Sequence, residues 1–149
     1  MPSDSTSRAI GPMGHMRAAV VLGLLAALSV PTMAQAAPRL RCQLEQGGTT
    51  QVHEFAPVAD PYGVAAIDIN GRFRFKAVMI GDERQIQYIK LYTHYQTARR
   101  LIILHEVSYL RPRIPAGTAT VELTGRNFLY SPGREREFQF SCVLFEATP

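Results

Sequence analysis

Recognisable catalytic motifs are missing from this 149-residue chain. It has no Gly-x-Ser-x-Gly elbow, no free cysteine near a histidine and no glycine loop of the kind that cradles phosphate. Hydrolysis by an activated nucleophile therefore finds no motif to rest on. Cysteine occurs only as Cys42 and Cys142, too far apart in sequence for a redox pair and too few for a zinc site. Lysine occurs only as Lys76 and Lys90, with arginine supplying the remaining cations, a bias that points to genome composition rather than recognition. No apolar run reaches the roughly 20 residues a membrane helix needs, and no repeat, low-complexity tract or linker interrupts the chain.

The N-terminal part is an export signal. Arg17 precedes Ala18 to Val30, a run of Ala, Val, Leu and Gly with one Ser, and then Pro31 and the small-residue site Ala34, Gln35, Ala36. A positive residue, a short apolar core and an Ala-x-Ala site make a secretory signal peptide over residues 1–36, cleaved after Ala36. Met1 to His15 is patternless, so the start is over-extended and Met13 or Met16 is the candidate initiator. No twin-arginine pair precedes the apolar core, and Pro38 to Arg41 lack the small residues that a lipidated Cys42 would require. The expectation is an unanchored protein of the bacterial periplasm, with the extracellular space as the alternative.

What remains, residues 37–149, has the length of one domain. It carries 14 basic against 11 acidic residues, a formal +3, with acids close to most of the bases. Nucleic-acid binding would show as a clustered stripe. The charge supports no more than a weak preference for anionic glycans or headgroups. In an oxidising compartment Cys42 and Cys142 are expected to pair, stitching the first strand to the last.

The patterning is that of strands throughout. Leu40, Cys42 and Leu44 alternate with Arg39, Arg41 and Gln43, and Phe138, Phe140, Cys142 and Leu144 alternate with Glu137, Gln139, Ser141 and Val143. Gly47 and Gly48 turn the chain into Gln51 to Phe55, and Thr118 to Thr124 alternates before Gly125. Val64 to Ile80 folds back at Asn70 and Gly71. A three-residue loop of Ile69, Asn70 and Gly71 pairs Ile67 with Phe73 and gives clean faces, Phe73 and Phe75 inward and Arg72, Arg74 and Lys76 outward. About eight strands and no helix make the class all-β, a sandwich or a small closed barrel.

The centre of the chain is a hairpin of two long β-branched and aromatic runs, Ile86 to Tyr95 and Arg100 to Tyr109. A loop of Gln96 to Arg99 sets Tyr95 opposite Arg100 and puts Ile89, Leu91 and Tyr95 on one face with Ile102 and Leu104. The other face then holds Tyr88, Lys90, Tyr92 and His94 beside Leu101, Ile103, His105, Val107 and Tyr109. That mixture of rings and basic groups is too apolar for a plain solvated face. Either a second sheet covers it, or it is an open surface that grips a partner.

The functional expectation is a non-catalytic binding or interaction module whose partner is an envelope protein, including a foreign hydrolase it inhibits, or a cell-wall glycan. The candidate contact residues are Tyr88, Lys90, Tyr92, His94, His105 and Tyr109, with the loop Arg111 to Gly117 beside them. No cofactor or metal is expected: His94 and His105 sit about 13 Å apart at the usual strand rise. A hydrolase is the second reading, with carboxylates drawn from Glu54, Glu106 and Glu122. An assembly subunit that accepts a partner's strand is the third.

Overall fold

The structure, a computed structural model, describes residues 36–133 and 136–147. The signal peptide expected over residues 1–36 lies, except for Ala36, outside the described residues. Nine strands make up the fold, and no helix occurs among the described residues. They are β1 (Ala37–Gln46), β2 (Thr49–Phe55), β3 (Ile67–Ile69), β4 (Phe73–Gly81), β5 (Ile86–Gln96), β6 (Leu101–Leu110), β7 (Thr120–Glu122), β8 (Asn127–Tyr130) and β9 (Glu137–Ala147). One antiparallel sheet runs β2-β1-β9-β7, with β8 also on β9, and the other runs β3-β4-β5-β6. Of the two architectures the sequence allows, this is the sandwich and not the closed barrel.

Alternation drives the packing. Leu40, Cys42 and Leu44 of β1 and Phe138, Phe140, Cys142 and Leu144 of β9 all turn inward and are buried, as the sequence pattern predicts. They meet Phe73, Phe75, Ala77 and Met79 of β4 and Ile89, Leu91 and Tyr95 of β5. Four phenylalanines tie the layers together, with ring centroids 5.3 Å apart for Phe73–Phe138 and 5.2 Å for Phe75–Phe140. Each such ring contributes about 1.5 to 3 kcal/mol by leaving water.

The disulfide forms where it is expected. Cys42 faces Cys142 directly across the β1–β9 pair, with Cα atoms 4.1 Å apart. The backbone N–H of Cys142 donates to Thr124 Oγ1 and its carbonyl accepts from Leu123 N, both at 2.9 Å. Its main chain is thus turned away from β1, which makes Cys42–Cys142 one of the narrow pairs of the ladder.

Both hairpins turn later than the sequence suggests. The first loop is Asn70, Gly71 and Arg72, closed by Ile69 opposite Phe73, with φ of 51° at Asn70 and 66° at Gly71. The slip is even, so Phe73 and Phe75 stay inward and Arg74 stays outward, 2.9 Å from Asp68. The central hairpin turns at Thr97 to Arg100, with Gln96 opposite Leu101 and Tyr95 opposite Ile102. Thr97 Oγ1 donates to the Arg100 carbonyl at 2.7 Å and accepts from Arg100 N at 3.0 Å.

Beyond the tip the central hairpin departs from expectation. His94 pairs with Ile103 but Thr93 pairs with His105, so Leu104 is the extra residue of a β-bulge. One extra residue reverses which side of β6 faces the core. His105, Val107 and Tyr109 turn inward, and Glu106, Ser108 and Leu110 turn out.

At the other end of β5, Gly81 makes a close approach that no side chain tolerates. Its φ is 155°, and a Cβ there would lie 2.2 Å from the Gln85 carbonyl oxygen. The turn it serves is held by Asp82 Oδ1, which accepts from Arg84 N and Gln85 N at 2.8 and 2.9 Å and so keeps the carboxyl pKa below its ordinary value. Gly81→Ala is expected to cost about 1 to 3 kcal/mol, the usual scale of imposed backbone strain. An unchanged urea midpoint would show that the turn simply relaxes.

Candidate binding face

The outer side of the β3–β6 sheet is built from cross-strand rows. Arg74 lies beside His94, Lys76 beside Tyr92 and Glu106, Val78 beside Lys90 and Ser108, and Ile80 beside Tyr88 and Leu110. The other layer packs on the opposite side of this sheet. The arrangement in which a second sheet covers Tyr88, Lys90, Tyr92 and His94 is therefore corrected: these four residues face outward and are half-exposed.

They also line one cleft of about 420 Å³. Its other walls are Lys76 and Val78 of β4 and Pro61 and Tyr62 of the preceding loop. That loop is docked on the edge of β4 by Val58, whose N–H donates to the Met79 carbonyl at 2.9 Å and whose carbonyl accepts from Gly81 N at 3.4 Å. Tyr62 stands clear of the surface, 92% exposed, while Val78 at the floor is 3% exposed. The Tyr92 and His94 rings lie nearly parallel with centroids 6.4 Å apart, and His94 Nδ1 is buried without a hydrogen-bond partner among the described residues.

Charge in the cleft is one-sided. Lys90 Nζ is 3.9 Å from Glu106 Oε1, a long contact between half-exposed groups that is worth little. Lys76 has no carboxylate within 4.0 Å among the described residues. Both lysines of the chain thus fall in one cleft, a coincidence that residue usage alone does not suggest.

His105 and Tyr109 do not belong to this surface, which corrects their placement. The bulge sends His105 into the interlayer space, edge-on to Phe140 at 5.6 Å and opposite the fully buried Thr93. Tyr109 lies opposite Ile89, and burial raises its phenol pKa. His94 and His105 therefore leave opposite faces of the sheet. The loop Arg111 to Gly117 also stays apart from the cleft. Pro115 is buried, Ile114 packs on the core and Gly117 N donates to Glu146 Oε2 at 2.9 Å.

Glu54, Glu106 and Glu122 are not brought together. Glu54, Arg41, Val143 and Glu122 form one row across β2, β1, β9 and β7, which puts the two carboxylates three strands apart, about 14 Å at the usual spacing. Glu106 is on the other layer. Paired-carboxylate hydrolysis needs about 5 to 9.5 Å. Among the described residues, no group of three or more His, Cys, Asp or Glu side chains could hold a metal ion.

The outer side of the other sheet is a useful contrast. Arg41 Nη2 pairs with Glu54 Oε1 at 2.8 Å, and its guanidinium lies 4.4 Å over the Phe145 ring. Gln43, Glu45, Gln139 and Ser141 occupy other outward positions of β1 and β9 beside the apolar Val143, and Val52 and Phe128 are exposed on the flanking strands β2 and β8. The chain matches no family model, no curated protein and no solved structure.

Proposed function

We propose that this protein is an exported, non-catalytic binding module of the bacterial envelope that works through the outer side of its β3–β6 sheet. One observation carries the reading: the outer side of the β3–β6 sheet gathers three tyrosines, both lysines and a histidine around one cleft, whereas the outer side of the other sheet mixes polar groups and the Arg41–Glu54 pair with the exposed Val52 and Phe128. Solvated faces do not need such a set, and rings with an apolar body and a polar tip are what recognition surfaces concentrate. The partner is an envelope protein or a cell-wall glycan. Export rests on the Ala18–Val30 core and the Ala34-Gln35-Ala36 site, and a buried disulfide is compatible with it.

The test is a Tyr88→Ala, Tyr92→Ala double variant, compared with wild type for retention on purified cell-wall sacculi and on immobilised envelope protein. Truncating aromatic contacts at the centre of a binding site costs about 2 kcal/mol or more. A loss of retention of at least about ten-fold is therefore expected, with an unchanged circular dichroism spectrum. Equal retention of the two proteins on every matrix would remove this face from consideration.

A further inference from the structure

We propose that the cleft takes a carboxylated saccharide, its acid group held between Lys76 and Lys90 and a sugar face laid on the tyrosine rings; this rests on the binding reading and gives it a ligand class. Lys76 lies opposite Tyr92 and Lys90 opposite Val78, so the two lysines are diagonal neighbours on one face. Diagonal Cα atoms are about 7 to 8 Å apart, within which two ammonium groups can converge on one small anion. A carboxylate has two acceptor oxygens, one for each. The two ammonium groups are like charges on one face, and among the described residues Glu106 is the one carboxylate within 4.0 Å of either. An anion removes that repulsion, which is a gain made only in the complex.

The rest of the cleft selects what carries the anion. Tyr62, Tyr88 and Tyr92 offer exposed or half-exposed ring surface and phenol hydroxyls, which suits a ring with C–H groups on its faces and hydroxyls on its rim. About 420 Å³ is the size of a small-ligand site. An acidic peptide in extended form would look instead for a free strand edge. Here β4 is paired with β5 on one side and with β3 and Val58 on the other, and β5 lies between β4 and β6. The stretch of β4 between those two partners, Lys76 to Val78, is too short an edge to seat an added strand, and recognition falls to side chains.

Calorimetric titration of the protein, purified after expression of the full chain, tests this with three probes: trigalacturonate, its neutral methyl ester and inorganic phosphate. Trigalacturonate should bind at least about ten-fold more tightly than the ester, since a hydrogen bond to a charged group contributes about 1.5 to 3 kcal/mol. Lys76→Gln and Lys90→Gln should each remove most of that difference, lowering acid affinity far more than ester affinity. Raising the salt should weaken the acid alone. Equal binding of acid and ester, full acid affinity in both lysine variants, or no saccharide binding by wild type would each overturn the acidic-saccharide assignment. Phosphate binding tighter than trigalacturonate would overturn it too, by showing a bare anion site. If these failures occur while the tyrosine variant still loses retention on envelope material, the binding face stands and only its ligand class falls.

Discussion

Replacing Cys42 and Cys142 together by alanine is expected to lower the unfolding free energy by about 4 to 5 kcal/mol. The bridge spans 100 residues, and in the chain-entropy picture a closed loop of that length removes this much freedom from the unfolded chain. Domains of this size have about a dozen kcal/mol in all, roughly 0.1 per residue, so the variant should remain folded at 25 °C but with a small margin. Urea unfolding should show a midpoint lowered by roughly 2 M and a steeper slope, because the uncrosslinked chain exposes more surface. Both sulfurs are wholly buried, so a mild reductant should act on the wild type only as fast as the pair opens. A change below about 1 kcal/mol would mean that the β1–β9 ladder holds as well without sulfur, and the entropic account would fail.

Phe138→Ala is the second large effect, expected to cost about 3 to 5 kcal/mol. The ring is fully buried and lies 5.3 Å from Phe73, 6.3 Å from Phe75 and 6.0 Å from Phe140, so it touches both layers at once. Removing it opens a cavity whose walls are held by two independent ladders and cannot close together. Phe128 on the neighbouring strand β8 is the control, being 51% exposed and opposite Gln139. Phe128→Ala should change stability by no more than about 0.5 kcal/mol. Comparable losses at the two positions, measured by thermal or urea unfolding, would show that the aromatic cluster is not where the layers are held.

Most of this architecture is legible in the residues because burial imposes a period of two. β1 and β9 read directly, down to the inward cysteines that pair, and an even slip of the turn at Asn70 and Gly71 leaves every face where the alternation puts it. β7 is shorter than its alternation suggests, three residues in place of seven, and all three are exposed. Val121 alone at that edge buries too little to hold a longer strand. The central hairpin is where the reading fails, and the reason is local. Leu101, Ile102, Ile103 and Leu104 are all aliphatic, so no polar partner marks the parity and an extra residue leaves no trace. The signal lies just beyond: Glu106 and Ser108 alternate with Val107 and Tyr109, and giving the polar pair to water turns Tyr109 and His105 inward. Four of the six candidate contacts do share the cleft, because they lie at alternate positions of β5, which runs without a break. Lys76 was visible as an outward position of β4, but Tyr62 comes from a loop with no periodicity to read.

The placement of the sulfur bridge also sets how the molecule answers to tension. Ala37 lies opposite Ala147, so a pull applied at these two residues peels β1 from β9, and the five pairs from Ala37–Ala147 to Arg41–Val143 stand ahead of the bridge, together with the β2 pairs of Leu40 and Arg41 and the three β7–β9 pairs. Ten residues released at roughly 3.4 Å each give about 34 Å of slack. Past that length the force runs through a covalent link, and every strand between the two cysteines, the tyrosine cleft included, carries none of it.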